Sequence, residues 1–409
     1  MPHTTLRQVD ITIVGGGISG AVLALALASL KKSDGAPLTI LLVEATVPTR
    51  LKGDHPSFDS RAIALSAGSC YTLHRLGLWP LFAPHVEPIT DIHVSDRGYI
   101  GFTELSAADY NLAALGYVIE LAAVGQALQH AIANHPQIQF VSPATLTSLT
   151  QHDHCVEMTL SGGERYQTRL LVGADGAYSS VRTLLNLAIE QTDYQQQAII
   201  ATVKVAHDLN GRAFERFTPH GPLALLPMQH GLASLVWCVN ANEVDELASL
   251  DEHAFLQRLQ DAFGWRVGHF QAIGARSYYP LSLTAVDYPL SHRTVLVGNA
   301  AHTLHPIAGQ GFNLGVRDLE RLTYEVMNAL EEGGDIGSFA VLNRYWQQRK
   351  EDQRQTIDFT STLVTLFSNE YMPLTLGRSV MLLLMARVSP FKARLVARGL
   401  GFATQGERC

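Results

Sequence analysis

Hydrophobic residues near the start of the chain form two short runs separated by a segment rich in alanine and leucine. Residues 9–14 and 38–43 are typical of buried strands, whereas residues 21–30 have the composition of a helix. Glycines fill the turn before the helix, and the second run ends at the acidic residue Glu44. The pattern predicts a β-α-β unit, the building block of a doubly wound α/β sheet.

The first turn of this unit carries a glycine pattern that is typical of dinucleotide binding. Residues 15–20 read GGGISG, which matches GxGxxG. Gly15 would make the tight turn, Gly17 would let the backbone approach a pyrophosphate, and Gly20 would let the helix pack on the strand. Glu44 would accept hydrogen bonds from ribose hydroxyls. The pattern does not decide between FAD and NAD, and an ordinary glycine-rich turn is the alternative.

Two further buried runs lead into turns that contain glycine. Residues 170–176 read LLVGADG and include Asp175, and residues 294–302 read TVLVGNAAH and include Asn299. Residues 306–315 then read PIAGQGFNLG and lead into a helical pattern that reaches about Leu330. An ordinary loop and helix cap is the alternative for this last segment.

Between about residues 185 and 280 the pattern favours strands. We predict strands at residues 198–205, 221–227, 232–239 and 275–283, with a helix at residues 252–263. Large apolar side chains in this region are candidates for lining a pocket, although such residues in strands more often belong to the core. The candidates are Phe217, Met228, Trp237, Tyr278 and Tyr279.

Composition narrows the function classes. The chain has 409 residues, of which 47% are hydrophobic and 16% charged, so two joined domains are expected. A net charge of −7 argues against nucleic-acid binding. The cysteines form no CxxC pair, and His302 and His305 have no acidic or thiol residue near them in sequence, so we predict no metal site. With no uninterrupted apolar stretch of about 18 residues, we expect a soluble, cytoplasmic protein.

The three glycine motifs, in this order and at this spacing, resemble those of the class A flavoprotein monooxygenases, the para-hydroxybenzoate hydroxylase-like family. The resemblance extends over nearly the whole chain. Residues 58–66 (FDSRAIALS), residues 93–98 (HVSDRG) and the late Gly298-Asn299 pair are most similar to the 2-polyprenyl-6-methoxyphenol hydroxylases of ubiquinone biosynthesis. The family usually has Gly-Asp at the late motif; the amide of Asn299 can still hydrogen-bond a ribityl hydroxyl.

The resemblance implies an α/β fold with a Rossmann-like FAD-binding domain, an inserted antiparallel β-sheet substrate domain and a C-terminal helical segment. The FAD-binding domain would comprise residues 1–75, 102–184 and 281–345, and the substrate domain residues 76–101 and 185–280. Residues 346–409 would form the C-terminal helical region.

The resemblance also implies hydroxylation of an aromatic ring with FAD, O2 and NAD(P)H, on a polyprenylated methoxyphenol. NAD(P)H would dock transiently, because the sequence has no second GxGxxG unit. We assign no catalytic acid or base, and the flavin-positioning loop is predicted to comprise Pro306, Gly309, Gln310 and Gly311. The predicted FAD-binding residues are Gly15, Gly17, Gly20, Glu44, Arg61, Asp175, Asn299, Gly309, Gly311, Phe312 and Asn313.

The C-terminal part of the sequence is basic, whereas the chain as a whole carries a net negative charge. Residues 371–406 contain no Asp or Glu but five basic residues, Arg378, Arg387, Lys392, Arg394 and Arg398. This pattern predicts a basic amphipathic segment that contacts the inner-membrane surface peripherally, or other ubiquinone-biosynthesis proteins. A helix that packs on its own protein is the alternative.

Two other functional classes stay open at this stage. The same scaffold supports prenyl reductases and epoxidases, whereas a halogenase would be expected to carry a WxWxIP segment that this chain lacks. A non-catalytic binding protein that reuses the fold, as the GDP-dissociation inhibitors do, is the other class. The mass of the product separates the enzymes, and an absence of bound FAD would favour the binding protein.

Overall fold

The structure is a computed structural model that describes residues 6–47, 61–98 and 101–367. Strands and helices are numbered separately along the chain. In the described residues the strands are β1 Arg7–Val14, β2 Ile40–Val43, β3 Ala62–Ser66, β4 Val86–Ile89, β5 Asp91–Asp96, β6 Phe102–Ser106, β7 Gly116–Glu120, β8 Ile138–Val141, β9 Leu146–His152, β10 Cys155–Leu160, β11 Arg165–Gly173, β12 Glu190–Val205, β13 Arg212–Thr218, β14 Gly221–Pro227, β15 Leu232–Asn240, β16 Phe270–Ile273, β17 Ser277–Ala285, β18 Leu290–Ser291, β19 Thr294–Leu296 and β20 His302–Thr303. The helices are α1 Ile18–Ala28, α2 Ala67–Arg75, α3 Trp79–Phe82, α4 Leu121–Ala133, α5 Ser180–Leu184, α6 Val244–Ser249, α7 Glu252–Phe263, α8 Gln310–Glu331 and α9 Phe339–Phe367.

The first sheet is built on the predicted β-α-β unit. Its parallel strands run in the order β19-β11-β1-β2-β8, and β18, β9 and β10 extend it in antiparallel fashion. Ile13 of β1 pairs with Val172 on one side and with Leu42 on the other. Helix α1 is buried along nearly its whole length, because it lies against the sheet and also packs against α4 and α8. The predicted Rossmann-like fold is confirmed.

The second sheet is antiparallel over most of its width. Its strand order is β20-β17-β12-β15-β14-β13-β5-β6, and β16 pairs with β12. One face carries Ile199, Leu223 and Trp237, which form a core with Phe255 and Phe263 of α7. The strands predicted in this region all occur, and the helix predicted at residues 252–263 is α7. The inserted antiparallel sheet is therefore confirmed.

Strand β13 was missed by the sequence analysis. It reads RAFERFT, and its charged residues Arg212, Glu215 and Arg216 interrupt the apolar alternation that would have indicated a half-buried strand. Its place in the sheet depends on pairing with β14 on one side and with β5 on the other, and β5 lies more than a hundred residues away in sequence.

Strand pairing crosses two of the predicted domain boundaries, at residues 102 and 281. Residues 102–184 were assigned to the nucleotide-binding domain, but β6 forms a hairpin with β5 in the second sheet. Likewise β17 carries residues 281–285 within the second sheet, pairing with β12. Strands β3, β7 and β4 form a third, smaller sheet that is not hydrogen-bonded to either large sheet in the described residues. The other boundaries stay predictions.

Helix α9 supplies the helical region after residue 346 as far as the structure describes it. The basic segment predicted at residues 371–406 lies outside the described residues. Among the helices of residues 6–47, 61–98 and 101–367, none combines the length and apolar character needed to cross a bilayer.

Candidate active site

A cavity of about 880 Å³ opens where the carboxyl ends of the parallel strands face the second sheet. Strands β1, β2 and β11 end at this edge, and the residues that follow them, Gly15, Glu44 and Asp175, line the cavity. Asn299, three residues after β19, is exposed at the same edge. Ligands of open parallel sheets bind at this edge, so the fold itself places the cavity.

Most of the predicted site residues meet at this cavity. Gly20 does not line it: a Cβ added there would lie 1.8 Å from the Gly15 carbonyl oxygen, so its place is in the packing of α1 on β1. The predicted residues that line the cavity are Gly15, Gly17, Glu44, Arg61, Asp175, Asn299, Pro306, Gly309, Gln310, Gly311, Phe312 and Asn313.

The Glu44 carboxylate holds the first glycine turn in shape. The Gly16 N–H donates to its Oε2 at 2.6 Å, and the Thr46 N–H and hydroxyl donate to its Oε1 at 2.9 and 2.7 Å. Gly15 has φ of +107°, and a Cβ on it would lie 2.4 Å from the Ala174 carbonyl oxygen, so only glycine fits where the two turns touch. The ribose contact of Glu44 stays a prediction.

Asp175 accepts hydrogen bonds from the start of α5, the short helix that follows the second turn. Its carboxylate accepts hydrogen bonds from the Ser180 N–H at 2.6 Å, the Ser180 hydroxyl at 2.8 Å and the Ser179 hydroxyl at 2.5 Å. Satisfied donors at a helix start fix the backbone there. The side chain therefore orders the turn that borders the cavity.

Arg61 connects the nucleotide side of the cavity with the second sheet. Its guanidinium lies 4.9 Å from the centre of the Tyr279 ring of β17, at cation–π distance. The two residues are more than two hundred positions apart, so no local sequence pattern indicates this contact.

Asn313, in the first turn of α8, fastens the late loop to β3. Its amide nitrogen donates to the Ala64 and Gly309 carbonyl oxygens at 2.9 and 2.7 Å, and its amide oxygen accepts from the Ser66 N–H at 2.8 Å. Gly309 has φ of +61°, a left-handed conformation that favours glycine. The side chain of Asn313, which was predicted to contact FAD, thus forms hydrogen bonds with backbone groups, and the residue lines the cavity.

His302 belongs to a buried charged network that the sequence analysis did not predict. Its Nε2 lies 2.6 Å from Oδ2 of Asp318 in α8, and Oδ1 of Asp318 lies 2.8 Å from Nε of Arg349 in α9. Although burial alone opposes ionisation, Arg349 and His302 lower the pKa of Asp318 below its ordinary range. The acidic partner missing near His302 in sequence is thus supplied by tertiary structure.

His305 is buried with neutral partners. The Ile307 N–H donates to its Nδ1 at 3.2 Å, so its Nε2 carries the proton that reaches the Gln196 side-chain oxygen at 3.1 Å. Burial lowers the pKa of His305 to about 4, because the charged form loses its hydration. The imidazole is therefore neutral at physiological pH.

On the cavity face of the second sheet lies a carboxyl group, Glu215 of β13, that the sequence analysis did not single out. Burial raises its pKa to about 7 because the surrounding protein replaces water. The charged residues within β13 were the available signal, but a local pattern does not show which of them faces a pocket.

The apolar pocket candidates divide between core and cavity. Phe217 lines the cavity, whereas Trp237 packs against Phe255 with ring centres 5.8 Å apart. Tyr278 packs against the same core, and Met228 is buried in a separate cluster. Of the five candidates, Phe217 alone lines the cavity in the described residues.

Comparison with known proteins agrees with this architecture. Residues 8–360 match the family model described as FAD binding domain. The chain is 34% identical to a ubiquinone hydroxylase of Rhodospirillum rubrum, over 97% of this chain and 90% of that protein. It is 32% identical to the 3-demethoxyubiquinol 3-hydroxylase of Escherichia coli, over 97% and 100% of the two chains.

A solved structure shows the same fold at low identity. The p-nitrophenol 4-monooxygenase of Pseudomonas putida superposes with a TM-score of 0.79 at 17% identity, over 98% of this chain and 100% of that one. The family match and the two relatives cover nearly the whole sequence, glycine turns included. The chain therefore belongs to the FAD binding domain family and is an FAD-dependent monooxygenase of the hydroxylase type.

Proposed function

We propose that this protein hydroxylates the ring of a polyprenylated methoxyphenol in ubiquinone biosynthesis, using FAD, NAD(P)H and O2. The observation that carries the proposal is one continuous cavity that joins the glycine turns to an apolar face of the second sheet. The similarity to a ubiquinone hydroxylase and to a 3-demethoxyubiquinol 3-hydroxylase supports ubiquinone biosynthesis as the context.

The nucleotide end of the cavity fits FAD. A Cβ added at Gly176 would meet no atom within 4 Å, and one added at Gly311 would meet only the Leu304 Cβ at 3.9 Å, so both glycines leave open space beside the cavity. In the proposal, Gly15, Gly17 and Arg61 hold the pyrophosphate, Glu44 the ribose, and Asp175 and Asn299 the ribityl region. Bound FAD would supply the activation of O2.

The late loop is proposed to position the flavin ring. Pro306, Gly309, Gln310 and Gly311 lie at the cavity immediately before and within the first turn of α8, whose N-terminal N–H groups favour negative charge. Asn313 fixes this loop relative to β3, so the donors are held in place before a ligand arrives.

The other end of the cavity fits an apolar substrate tail. Ile200, Leu226 and Val236 line it from the second sheet, and Phe359 and Leu363 line it from α9. A prenyl chain would bury its hydrocarbon surface against these side chains, at roughly 25 cal/mol per Å² of apolar area removed from water.

A defined prenylated methoxyphenol tests the proposed function directly. We expect the purified yellow protein to oxidise NAD(P)H in the presence of O2 and to give a product one oxygen heavier than the phenol. The methyl ether of the same compound, which keeps the ring and tail but lacks the hydroxyl, is the matched control substrate. A product two hydrogens heavier would indicate a prenyl reductase instead, and failure to retain FAD would indicate a binding protein.

We also propose peripheral contact with the inner membrane through the basic C-terminal segment. Full-length protein should co-sediment with vesicles that contain anionic lipid more than with neutral vesicles. Replacement of Arg378, Arg387, Lys392, Arg394 and Arg398 by Gln in the full chain should remove that difference. Equal sedimentation of both proteins would contradict this contact.

A further inference from the structure

In the second sheet, Glu215 is the one carboxyl group in a row of side chains that are otherwise apolar and that lie side by side on neighbouring strands. Across the sheet, Glu215 pairs with Val94 of β5 on one side and with Ala224 of β14 on the other. Ala224 pairs with Val236, which in turn pairs with Ile200. Because paired residues point to the same face, these five side chains form one row, and all five line the cavity.

The neighbours of Glu215 along β13 show which part of the cavity it faces. Ala213, two residues before it, belongs to the same buried cluster as Ala62 of β3. Phe217, two residues after it, belongs to the same buried cluster as Ile307 of the late loop. Residues at this spacing share a face of a strand. Glu215 is therefore placed between β3 and the loop proposed to hold the flavin ring, in the part of the cavity where a substrate ring would lie.

No described side chain compensates the charge of Glu215. The other charged residues that line the cavity within the described chain, Glu44, Arg61 and Asp175, belong to its nucleotide end. Cys238, on β15, which is separated from β13 by β14, is kept as a neutral thiol, because burial and then the nearby Glu215 charge raise its pKa. A carboxyl exposed only to an apolar cavity is costly for stability and is typical of a functional group.

We propose that the Glu215 carboxylate accepts the proton of the phenolic hydroxyl of the substrate and so prepares the ring for hydroxylation. This inference rests on the proposed function. In the step, the phenol O–H bond breaks, its electron pair stays on the phenolate oxygen, and the proton forms an O–H bond on Glu215. The negative charge moves from the carboxylate to the ring, so the net charge of the cavity does not change.

The basicity of Glu215 suits this step. A phenol has a pKa of about 10 and an ordinary glutamate one of about 4.3, a gap of about 6 units. With the pKa of Glu215 raised to about 7 by burial, the gap falls to about 3 units. Removing water from a carboxylate thus makes it a stronger base at physiological pH.

Binding to the oxidised, FAD-loaded enzyme tests the proposal without turnover. The ligands are a prenylated methoxyphenol and its methyl ether, and the flavin absorbance reports binding. We expect the affinity of wild type for the phenol to rise about tenfold from pH 6 to pH 8, as Glu215 ionises and accepts a charge-assisted hydrogen bond. The methyl ether, which has no proton to donate, should bind equally across this range.

Variants assign the effect to Glu215. Glu215→Gln should remove the pH dependence of phenol binding and lower kcat for hydroxylation by about 100-fold, while Glu215→Asp should restore part of both. Glu104→Gln is the matched control: Glu104 lies in β6 of the same sheet, its side chain is 53% exposed, and it should behave as wild type. FAD content and melting temperature verify that each variant folds.

Few groups on the elements packed around Glu215 could titrate in its place. His305, with a pKa of about 4, and the Cys238 thiol do not change charge near neutral pH. The other charged groups on these elements are Asp96, which pairs with Phe217 at the end of β5, and Arg61, which immediately precedes β3. Persistence of the pH dependence in Glu215→Gln would therefore assign it to another group and overturn the proposal.

Wild-type behaviour alone also decides the question. Active wild type that binds the phenol equally at both pH values would overturn the role of Glu215 and leave the proposed function standing. Wild type that binds neither compound would overturn the proposed function and, with it, this assignment.

Discussion

Asp318 is the carboxylate at the centre of the buried charged network beside the cavity. It is fully buried, accepts from Arg349 and the Gln353 amide, and holds His302 next to the turn that carries Asn299. A buried charge is tolerated only when paired and hydrogen-bonded. A buried carboxylate that does not itself line the cavity thus holds the turn at one of its edges.

Replacing Asp318 by Asn should destabilise the protein strongly. The change leaves Arg349 buried without one of its two carboxylate partners, and removal of one partner of a buried pair costs about 3–5 kcal/mol. The free energy of unfolding in urea measures the loss. Asp358→Asn is the control, since Asp358 is 69% exposed and lies 3.9 Å from Arg354; it should cost less than about 1 kcal/mol. Equal losses would contradict the network's role.

The buried neutral His305 predicts a pH dependence of stability. Because its pKa is about 4 in the folded protein and about 6.5 in the unfolded chain, the unfolded state binds more protons between these values. The contribution is complete above about pH 6.5 and is lost as pH falls through about 4. We expect a loss of about 3 kcal/mol over this range, and His305→Gln should flatten it. An unchanged slope in the variant would place the titrating group elsewhere.

At the scale of elements, the nucleotide end depends on how closely helices approach strands. Helix α1 lies so near β1 that Gly20 has no room for a side chain. At the other side of the cavity, the Asn313 side chain joins α8 to β3. The cavity walls are thus fixed by contacts between elements rather than by the elements alone.

Gly20→Ala should abolish FAD retention. The new Cβ would lie 1.8 Å from the Gly15 carbonyl oxygen, so α1 must move away from the turn. Gly35→Ala is the matched control, because Gly35 also has a special backbone, with φ of +81°, but a Cβ there meets nothing within 4 Å. It should cost about 1–2 kcal/mol of stability and remain yellow. Equal flavin content in both variants would refute the close-packing argument.

At the scale of the whole molecule, the cavity lies between the parallel sheet and the face of the second sheet opposite to α7. Residues from β1, β13 and α9 all line it, although they are separated by hundreds of positions. A ligand in this place contacts both sheets, so its binding energy adds to the stability of the whole fold.

FAD should therefore stabilise the entire protein in a concentration-dependent way. At a free FAD concentration of about 100 times Kd, the free energy of unfolding should rise by about 2.7 kcal/mol. Thermal unfolding of apoprotein titrated with FAD measures the increase, with Gly20→Ala as the variant that should show none. If the melting temperature of the wild-type protein does not change with FAD concentration, a cofactor site between the two sheets is contradicted.

The sequence by itself determined the β-α-β unit, the three glycine turns and the fold class, because strand and helix periodicity and glycine's tolerance of positive φ are local properties. Gly15 and Glu44 could be named for that reason, whereas the roles expected of Asp175 and the late loop came from the resemblance to a known family. Only the tertiary structure decided that His302 has Asp318, that Arg61 stacks on Tyr279, that β6 joins the second sheet, and that Glu215 faces an apolar cavity. A charged residue in a strand is ordinarily exposed, and only the pairing of distant strands shows which face it occupies and what lies opposite.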